Sequence, residues 1–540
     1  MLETVRNFTA LSEEFVEESL RLWPVWATAA GIHDYDHLLP DDTPDGFRAR
    51  SAWLRDLEQR LAASVTWEEL PTEQRVDYAL LRSRISVLRA ELEEIRAQAR
   101  DPVACLRTAL DGVTLLVARP FAPLEERREA IVARLMAIPD HLAGARAGLE
   151  QVPAAWVELA LEVADGGPPF IHEVTRALLR AFPGDAERIE HAGACASSGL
   201  TAFREALERE LGPRAGGDFA LGERWLDFRL EREHMLPLKN EALEHWGREH
   251  VEHLRRLLEH EALRLDPDRP WREQAEEARR PAEPEAPPAA FEAELARAQR
   301  FVAERGLAPL PAAPLALAEA RAWQRPLLGN LGYVGPAPFD VEPTGLLLVP
   351  ADGAARRAAA PGRRGMALDA AREGWPGRHL LGGLAIHCGS RLRRMAGNSV
   401  LAGGWVLYAE ELMAEEGFCV TAGDRLGLIL DLLAGAARAV ADLGLNSGRL
   451  SLAQAAEYLA EEGLFDRAEA LAEAKRLTLA PAQALGGLVG RMQILELREE
   501  ARKRQGARFN RLDFHAALLA CGALPPALLR EELWERLGVA

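Results

Sequence analysis

The chain has 540 residues, of which 48% are hydrophobic, and it carries a formal net charge of −18. Its apolar content supports a large buried core, whereas the acidic balance excludes the concentrated basic surface that nucleic acids and anionic membranes require. The five cysteines are scattered and form no C-x-x-C pair, so the sequence predicts neither a disulfide framework nor a thiolate zinc site.

Helical periodicity dominates from the N-terminus onward. Residues 11–32, 76–98 and 125–152 place apolar side chains at three- and four-residue intervals, which is the pattern of amphipathic helices. The first residues lack a basic region followed by an apolar core, so we expect no signal peptide and a cytoplasmic location. The most apolar long stretch, 426–445, contains three charged residues and therefore is not expected to span a membrane.

Two segments in the middle of the chain leave alternatives open. His245, Glu249 and His253 share one helical face, where metal binding is conceivable, although a solvent-exposed charged helix is the expectation. Residues 266–290 are rich in proline and charge, so they form either a linker between lobes 1–265 and 291–540 or a surface loop in one body spanning 1–540. We favour the loop, because the helical pattern resumes directly afterwards.

A short apolar run, "GLLLVP" at residues 345–350, is flanked by proline and glycine and predicts a strand. The sequence thus predicts a mainly α fold with a small β-sheet. Shortly afterwards comes "AREGWPGRHL" at residues 371–380, where Glu373 could act as a general base, although no H-E-x-x-H motif occurs in the chain. A helix is expected to follow, with His379 and a partly buried His387 about 12 Å apart, which is too far for them to share a metal.

The next predicted helix, residues 401–418, is amphipathic. Trp405 and Tyr408 lie on its aromatic face, and Glu410 belongs to an acidic face that we expect to be solvated.

Six stretches, taken in order, resemble the bacterial family called domain of unknown function 885, which is related to zinc metallopeptidases of the gluzincin type. They are "PVWATAAGIHDYDHLLPDD" with His33, Asp34 and Asp36, "REGWPGRHL" over the pattern H-E-x-x-P-G-H-H-L, "GGWVLYAEELMAEEGF" over E-G-W-A-L-Y-x-E, "ARAVADLGLN" over a segment ending D-x-G-x-H, "APAQALGGLVGRMQILELRE", and "FNRLDFHAALLACGALPPALL". The resemblance runs nearly end to end and implies a multi-helix metallopeptidase-like fold.

The departures from the family pattern fall on the polar residues that the resemblance places in its site. Arg372 and Arg378 stand where the family has its two metal-binding histidines, and Gly403 stands where it has the glutamate ligand. Asn446 replaces a further histidine and Gly487 a tyrosine. Arginine has no lone pair to donate, so Arg372 and Arg378 cannot bind zinc, and we expect neither a metal nor another cofactor. Glycines at 403 and 487 are expected to enlarge the pocket.

Three functions remain open. The favoured one is a metal-independent enzyme acting on a small or peptide-like, anionic substrate. The others are a non-catalytic pseudo-peptidase that binds a peptide or protein partner, and a zinc hydrolase with rearranged ligands such as Glu373, His379 and Glu410. Homodimer formation is left open. The predicted acid/base groups are Glu373, His379 and Tyr408, and the predicted substrate-binding residues are Arg372, Arg378, Trp405, Glu410, Asp442 and Asn446.

Overall fold

The computed structural model describes residues 2–279, 288–329, 331–350 and 366–539, and this part of the chain is mainly helical with a small sheet, as predicted. It divides into two compact units. Unit 1 contains residues 1–219, 320–329 and 337–344, and unit 2 contains the described residues within 220–319, 330–336 and 345–540. The first boundary along the chain therefore falls at residue 220, and the described residues of the proline-rich stretch 266–290 belong to unit 2.

Unit 1 is helical, and its helices that begin at Pro44 and Pro102 carry side-chain caps. The Thr43 hydroxyl accepts a hydrogen bond from Gly46 N at 3.1 Å, and Asp101 accepts bonds from two first-turn amides of the helix that follows it. The helices are α1 (Leu2–Leu22), α2 (Pro24–Ala30), α3 (Pro44–Ser64), α4 (Thr72–Ala90), α5 (Pro102–Ala118), α6 (Leu124–Ala147), α7 (Ala154–Ala181) and α8 (Ala186–Ala206).

His33 joins two segments of unit 1. Its Nδ1 lies 2.8 Å from Asp36 Oδ2, its Nε2 lies 3.0 Å from Asp340 Oδ1, and its ring stacks on Phe121 at 3.6 Å. Burial opposes the positive charge, but the hydrogen bonds to the two carboxylates outweigh it and raise the pKa of His33 to about 9. The protonated imidazole therefore holds the segment 337–344 against the start of the chain.

This arrangement predicts a pH-dependent contribution to stability. Because the pKa of His33 is raised on folding, the contribution is complete below the unfolded value near 6.5 and is lost as the pH rises through about 9. We expect His33→Gln to lower the free energy of unfolding by about 1–2 kcal/mol at about pH 6, after allowance for solvent screening, and by much less at about pH 10. Urea unfolding of both proteins measures the difference. His37→Gln, at an exposed neighbour, should change the free energy of unfolding by no more than about 0.5 kcal/mol. A loss of stability in His33→Gln that is the same at both pH values would contradict the prediction.

Unit 2 contains the remaining helices. They are α9 (Glu223–Arg232), α10 (Asn240–Leu265), α11 (Trp271–Arg279), α12 (Pro288–Arg305), α13 (Met366–Asp369), α14 (Arg378–Ala385), α15 (Arg391–Met395), α16 (Ser399–Glu415), α17 (Ala422–Ser447), α18 (Leu452–Glu461), α19 (Arg467–Leu479), α20 (Arg491–Gln505), α21 (Arg511–Ala520) and α22 (Pro526–Arg536). Among the described residues, none of the helices is both long enough and apolar enough to cross a bilayer.

The described sheet has three strands in the order β1–β3–β2. Strand β1 is Leu315–Ala320, β2 is Gly332–Val334 and β3 is Gly345–Pro350. Strands β2 and β3 pair antiparallel, with Tyr333 opposite Leu347. Strand β3 has the bounds that the apolar run and its flanking residues predicted, and its first residue lies close to the motif segment.

The centre of unit 2 is α17, which is buried along most of its length. Its N-terminus carries a capping box, in which Thr421 and Asp424 each bond to the other's backbone amide at 3.0 Å. It ends at Gly448, whose φ of 84° is a left-handed conformation that glycine adopts without strain. Helices α10, α16 and α19 pack against it. A helix buried all round needs apolar residues on every face, which explains why this stretch is the most apolar of the chain.

Three sequence-based expectations are corrected here. The proline-rich stretch 266–290 contains α11 and the first residues of α12, while residues 280–287 lie outside the described residues. The helix expected across 380–395 is broken between α14 and α15, because Ser390 caps a new helix by accepting a bond from Arg393 N. His387 lies in the intervening turn and is exposed rather than partly buried.

Candidate functional site

The motif segment of unit 2 begins in a wide helical turn. Helix α13 continues into a π-helical turn, Ala370–Gly374, which carries Arg372 and Glu373. After a short connection the chain enters α14, whose first residue is Arg378. Arg372 and Glu373 therefore lie in the π-helical turn, and Arg378 lies at the start of α14. The two arginines form ion pairs with different carboxylates.

Arg372 is held between two carboxylates. Its Nη2 donates to Glu410 Oε2 at 2.9 Å and lies 3.1 Å from Asp431 Oδ2, and its Nε lies 2.9 Å from Glu410 Oε1 without good hydrogen-bond alignment. Glu410 is fully buried and Asp431 nearly so. Burial opposes the charge of Arg372, but Asp431 and Glu410 outweigh it and raise the pKa of the guanidinium above its ordinary value. Glu410 thus belongs to a buried ion cluster and not to the solvated acidic face that was predicted.

Arg378 pairs with Glu373. Its Nε donates to Glu373 Oε2 at 2.8 Å. The side chain of Glu373 is buried, whereas that of Arg378 is 44% exposed. The pair therefore consists of an inner carboxylate and an outer guanidinium.

His379 is fully buried, and both of its ring nitrogens have protein partners. Its Nε2 lies 2.9 Å from Ala313 O, so it carries the proton and donates, and Nδ1 accepts from the Tyr333 hydroxyl at 3.2 Å. Trp375 makes an edge contact with the ring at 5.1 Å, and a side chain at Gly345 would collide with it. Burial lowers the pKa of His379, which keeps the imidazole neutral.

Tyr408 is also engaged. Its hydroxyl donates to His515 Nε2 at 2.7 Å, and His515 Nδ1 in turn donates to Leu307 O at 2.5 Å. Burial raises the pKa of Tyr408 to about 12 and lowers that of His515 to about 4, so both groups stay neutral. Trp405 contacts both rings, and its indole donates to Pro376 O at 2.7 Å, which fixes the motif segment against α16.

Asp442 and Asn446 hold a turn together. Asp442 accepts hydrogen bonds from Ala482 N and Ala484 N, each at 3.0 Å, and from Asn446 Nδ2 at 2.8 Å. The Asn446 amide also donates to Leu477 O at 3.1 Å. Burial raises the pKa of Asp442 to about 6, although these donors oppose the shift. Both side chains thus bond to the protein itself.

Leu407 separates the turn held by Asp442 from the buried ion cluster of Arg372, Glu410 and Asp431. Asp431 and Asp442 are eleven residues apart on α17, which corresponds to about 16 Å along the helix. Between them, a Cβ built on either Gly435 or Gly487 would lie 3.1 Å from Leu407 Cδ1. Leu407 therefore lines the position for which the resemblance implies a tyrosine. Contrary to the expectation, Gly487 does not enlarge the pocket there.

Gly403 does not leave space either. A Cβ on Gly403 would meet the backbone of Gly486 and Gly487 at 3.0 to 3.1 Å, and one on Gly404 would overlap the backbone of Gly490. The backbone of α16 and the π-helical turn Gly486–Gly490 are thus in direct contact. The predicted enlargement of the pocket at 403 is wrong, because another part of the chain occupies that volume.

The resemblance to metallopeptidases implies zinc, and the residues at the motif positions do not fit it. Arg372 and Arg378 have no lone pair to offer, and the site of Gly403 has no side chain and no room for one without displacement. Throughout the described ranges, no group of three histidine, cysteine, aspartate or glutamate side chains is arranged to hold a metal ion. Helix α10 has no such group either among the described residues, although His245 Nε2 lies 3.5 Å from Glu249 Oε1 on its exposed face.

Sequence reasoning missed three members of these clusters. His515 lies in the quoted stretch "FNRLDFHAALLACGALPPALL", so its F-H pair was an available signal. Asp431 had been noted only as a charge in an apolar stretch, and Tyr333 carried no signal at all. Their roles depend on partners that are far away in the sequence.

A model of a protein family described as "Bacterial protein of unknown function (DUF885)" matches residues 24–533. The chain belongs to the DUF885 family. This confirms the family resemblance of the sequence, whereas the relation to zinc metallopeptidases stays a prediction. Among curated proteins, none matches this DUF885 chain.

Two solved structures share the fold of this DUF885 protein. One is described as "a putative lipoprotein of unknown function" from Shewanella oneidensis, with a TM-score of 0.77, 19% identity, and coverage of 97% of this chain and 99% of that one. The other, a "putative lipoprotein" from Colwellia psychrerythraea, has a TM-score of 0.84, 18% identity and full coverage of both chains. The predicted cytoplasmic location is contradicted, because both structures carry the description of lipoproteins, a class of exported, lipid-anchored proteins.

Proposed function

We propose that this protein is a non-catalytic member of its family, a pseudo-peptidase that binds a peptide or protein partner. One observation carries the proposal: each predicted acid/base group already bonds to the protein. Both nitrogens of His379 are occupied, Tyr408 donates to His515, and Glu373 accepts from Arg378. General acid–base catalysis needs a group within reach of the substrate proton. His379 and Tyr408 would have to give up buried partners to provide one.

The arginines support the same proposal. In the predicted enzyme, Arg372 and Arg378 were to stabilise an anionic substrate. Arg372 is instead paired with two carboxylates, Glu410 and Asp431. Carboxylates of the protein therefore already offset its positive charge before any anionic substrate is present.

A metal-independent enzyme is the second candidate, and the Glu373–Arg378 pair favours it. Glu373 uses one carboxylate oxygen for Arg378 and belongs to an ion pair with an exposed outer member. A carboxylate in that position could accept a proton from a substrate that displaces the guanidinium. The rearranged zinc hydrolase has less support, since Glu410 is bound to Arg372 and His379 has no free nitrogen.

A random pentapeptide pool distinguishes these functions. We expect part of the pool to be retained by the purified full-length protein and recovered uncleaved, with or without added Zn²⁺, because each predicted acid/base group is bonded to the protein. Mass spectrometry of the retained and free peptides measures both binding and cleavage.

Two variants and one elemental analysis define the opposing results. Cleavage that disappears in Glu373→Gln but persists in Glu457→Gln, an exposed glutamate without an ion pair, would establish the metal-independent enzyme. Stoichiometric zinc that is lost together with activity would establish the zinc hydrolase. Absence of any retained peptide would reject peptide binding.

A further inference from the structure

Arg372 and Arg378, the two arginines of the motif segment, differ in how many of their N–H donors are already used within the protein. A guanidinium has five N–H donors. The Nε and Nη2 groups of Arg372 face Glu410 and Asp431, whereas Arg378 uses only its Nε, toward Glu373. Within the described residues, neither Nη group of Arg378 has a protein partner, and its side chain is 44% exposed. Arg378 therefore presents an open edge with two parallel donors.

Glu373 fixes the direction of that edge. Its carboxylate is buried in the π-helical turn, and the 2.8 Å bond to Nε sets the plane of the guanidinium. A flexible arginine loses side-chain freedom when it binds a ligand, and a partner that has already fixed the side chain reduces this cost. The pair is thus preorganised, with Glu373 as the positioning residue.

The local charge limits what the edge can bind. Arg378 and Glu373 form a pair of opposite charge. Long-range attraction of this pair for anions is therefore weak. A carboxylate carries a single charge and matches two parallel N–H groups with two oxygens. Short-range geometry, rather than net charge, selects this ligand.

We propose that Arg378 anchors the peptide ligand of this protein by binding a carboxylate through Nη1 and Nη2. The proposal rests on the proposed function and narrows it to carboxylate-bearing peptides. The carboxylate is supplied either by the C-terminus of the peptide or by an acidic side chain near it.

Fluorescence anisotropy with three peptides, each labelled at its N-terminus with a dansyl group, which carries no carboxylate, tests the proposal on the full-length protein. The probes are pentaalanine with a free C-terminus, pentaalanine amide, and tetraalanyl-glutamate amide. We expect the free acid to bind roughly ten- to a hundredfold more tightly than pentaalanine amide, the range for a lost pair of charge-assisted hydrogen bonds. The glutamate probe identifies the source of the carboxylate. If its affinity equals that of the free acid, Arg378 accepts any carboxylate, and if it equals that of pentaalanine amide, Arg378 requires the C-terminal carboxylate.

Three variants separate recognition from charge and folding. Arg378→Gln should reduce the preference for the acid to less than about threefold, and Arg378→Lys, which keeps the charge beside Glu373 but not the two parallel donors, should lose most of it. Arg425→Gln removes an exposed arginine of α17 and should keep the full preference. Equal binding of acid and amide by the unaltered protein overturns the proposal and leaves the proposed function intact. If neither peptide binds, this proposal fails, and retention of peptides from the random pool decides separately whether the proposed function stands.

Discussion

An Arg372→Met substitution is expected to lower the free energy of unfolding by about 3–5 kcal/mol, the range found when one partner of a buried ion pair is removed. Methionine fills much of the same space, but it removes one counter-charge from Glu410, which is fully buried, and from Asp431. Chemical unfolding followed by circular dichroism in the far ultraviolet measures the loss.

Two comparisons show whether the loss comes from uncompensated charge. Arg425→Met, at an exposed arginine, should change the unfolding free energy by no more than about 0.5 kcal/mol. The triple variant Arg372→Met, Glu410→Leu, Asp431→Leu should recover most of the stability, because well-packed apolar groups replace buried ions at little net cost. A triple variant that is less stable than the single one would show that the cluster stabilises the fold through its geometry, contrary to this expectation.

A Gly490→Ala substitution is expected to destabilise the protein by at least about 3 kcal/mol, at the upper end of the range for overpacking. The added methyl group would overlap the carbonyl oxygen of Val400, and the facing Gly404 has the same restriction. Backbone atoms cannot move aside as a flexible side chain can, so α16 and the turn Gly486–Gly490 would have to separate. The midpoint of urea unfolding and the soluble yield report the effect.

Gly397→Ala is the matched control for this substitution. Gly397 lies just before α16, and a Cβ there has no atom within 4 Å. We expect a change within about 0.5 kcal/mol, since the alanine adds the same methyl group without a collision. Equal losses at both positions would attribute the effect to backbone flexibility and contradict a role for close packing.

Local features of the structure followed from the sequence. The strand Gly345–Pro350 was bounded by turn-forming residues on both sides, and helices such as α4, α6 and α16 followed from the spacing of their apolar residues. The order of motif segments gave the family. In each case the information lies within a few residues of the element that it specifies.

The candidate site could be predicted only in part, because its partners come from distant segments. The motif alone indicated that Arg372, Glu373, Arg378 and His379 belong together. The burial of Glu410 could not be read from its helix, since its counter-charge lies 38 residues upstream. Glycine at 403 was interpreted as free space for the same reason, because the segment that fills it follows some 80 residues later.

The contact at Gly403 also has an evolutionary consequence. The zinc motif that the resemblance implies would need histidines at 372 and 378 and a glutamate at 403, and each change disturbs a different neighbour. Loss of Arg372 removes a counter-charge from Glu410 and Asp431, loss of Arg378 removes the partner of Glu373, and a side chain at 403 presses on the backbone of Gly486 and Gly487. Because each of these steps is unfavourable by itself, single substitutions toward such a motif meet a barrier.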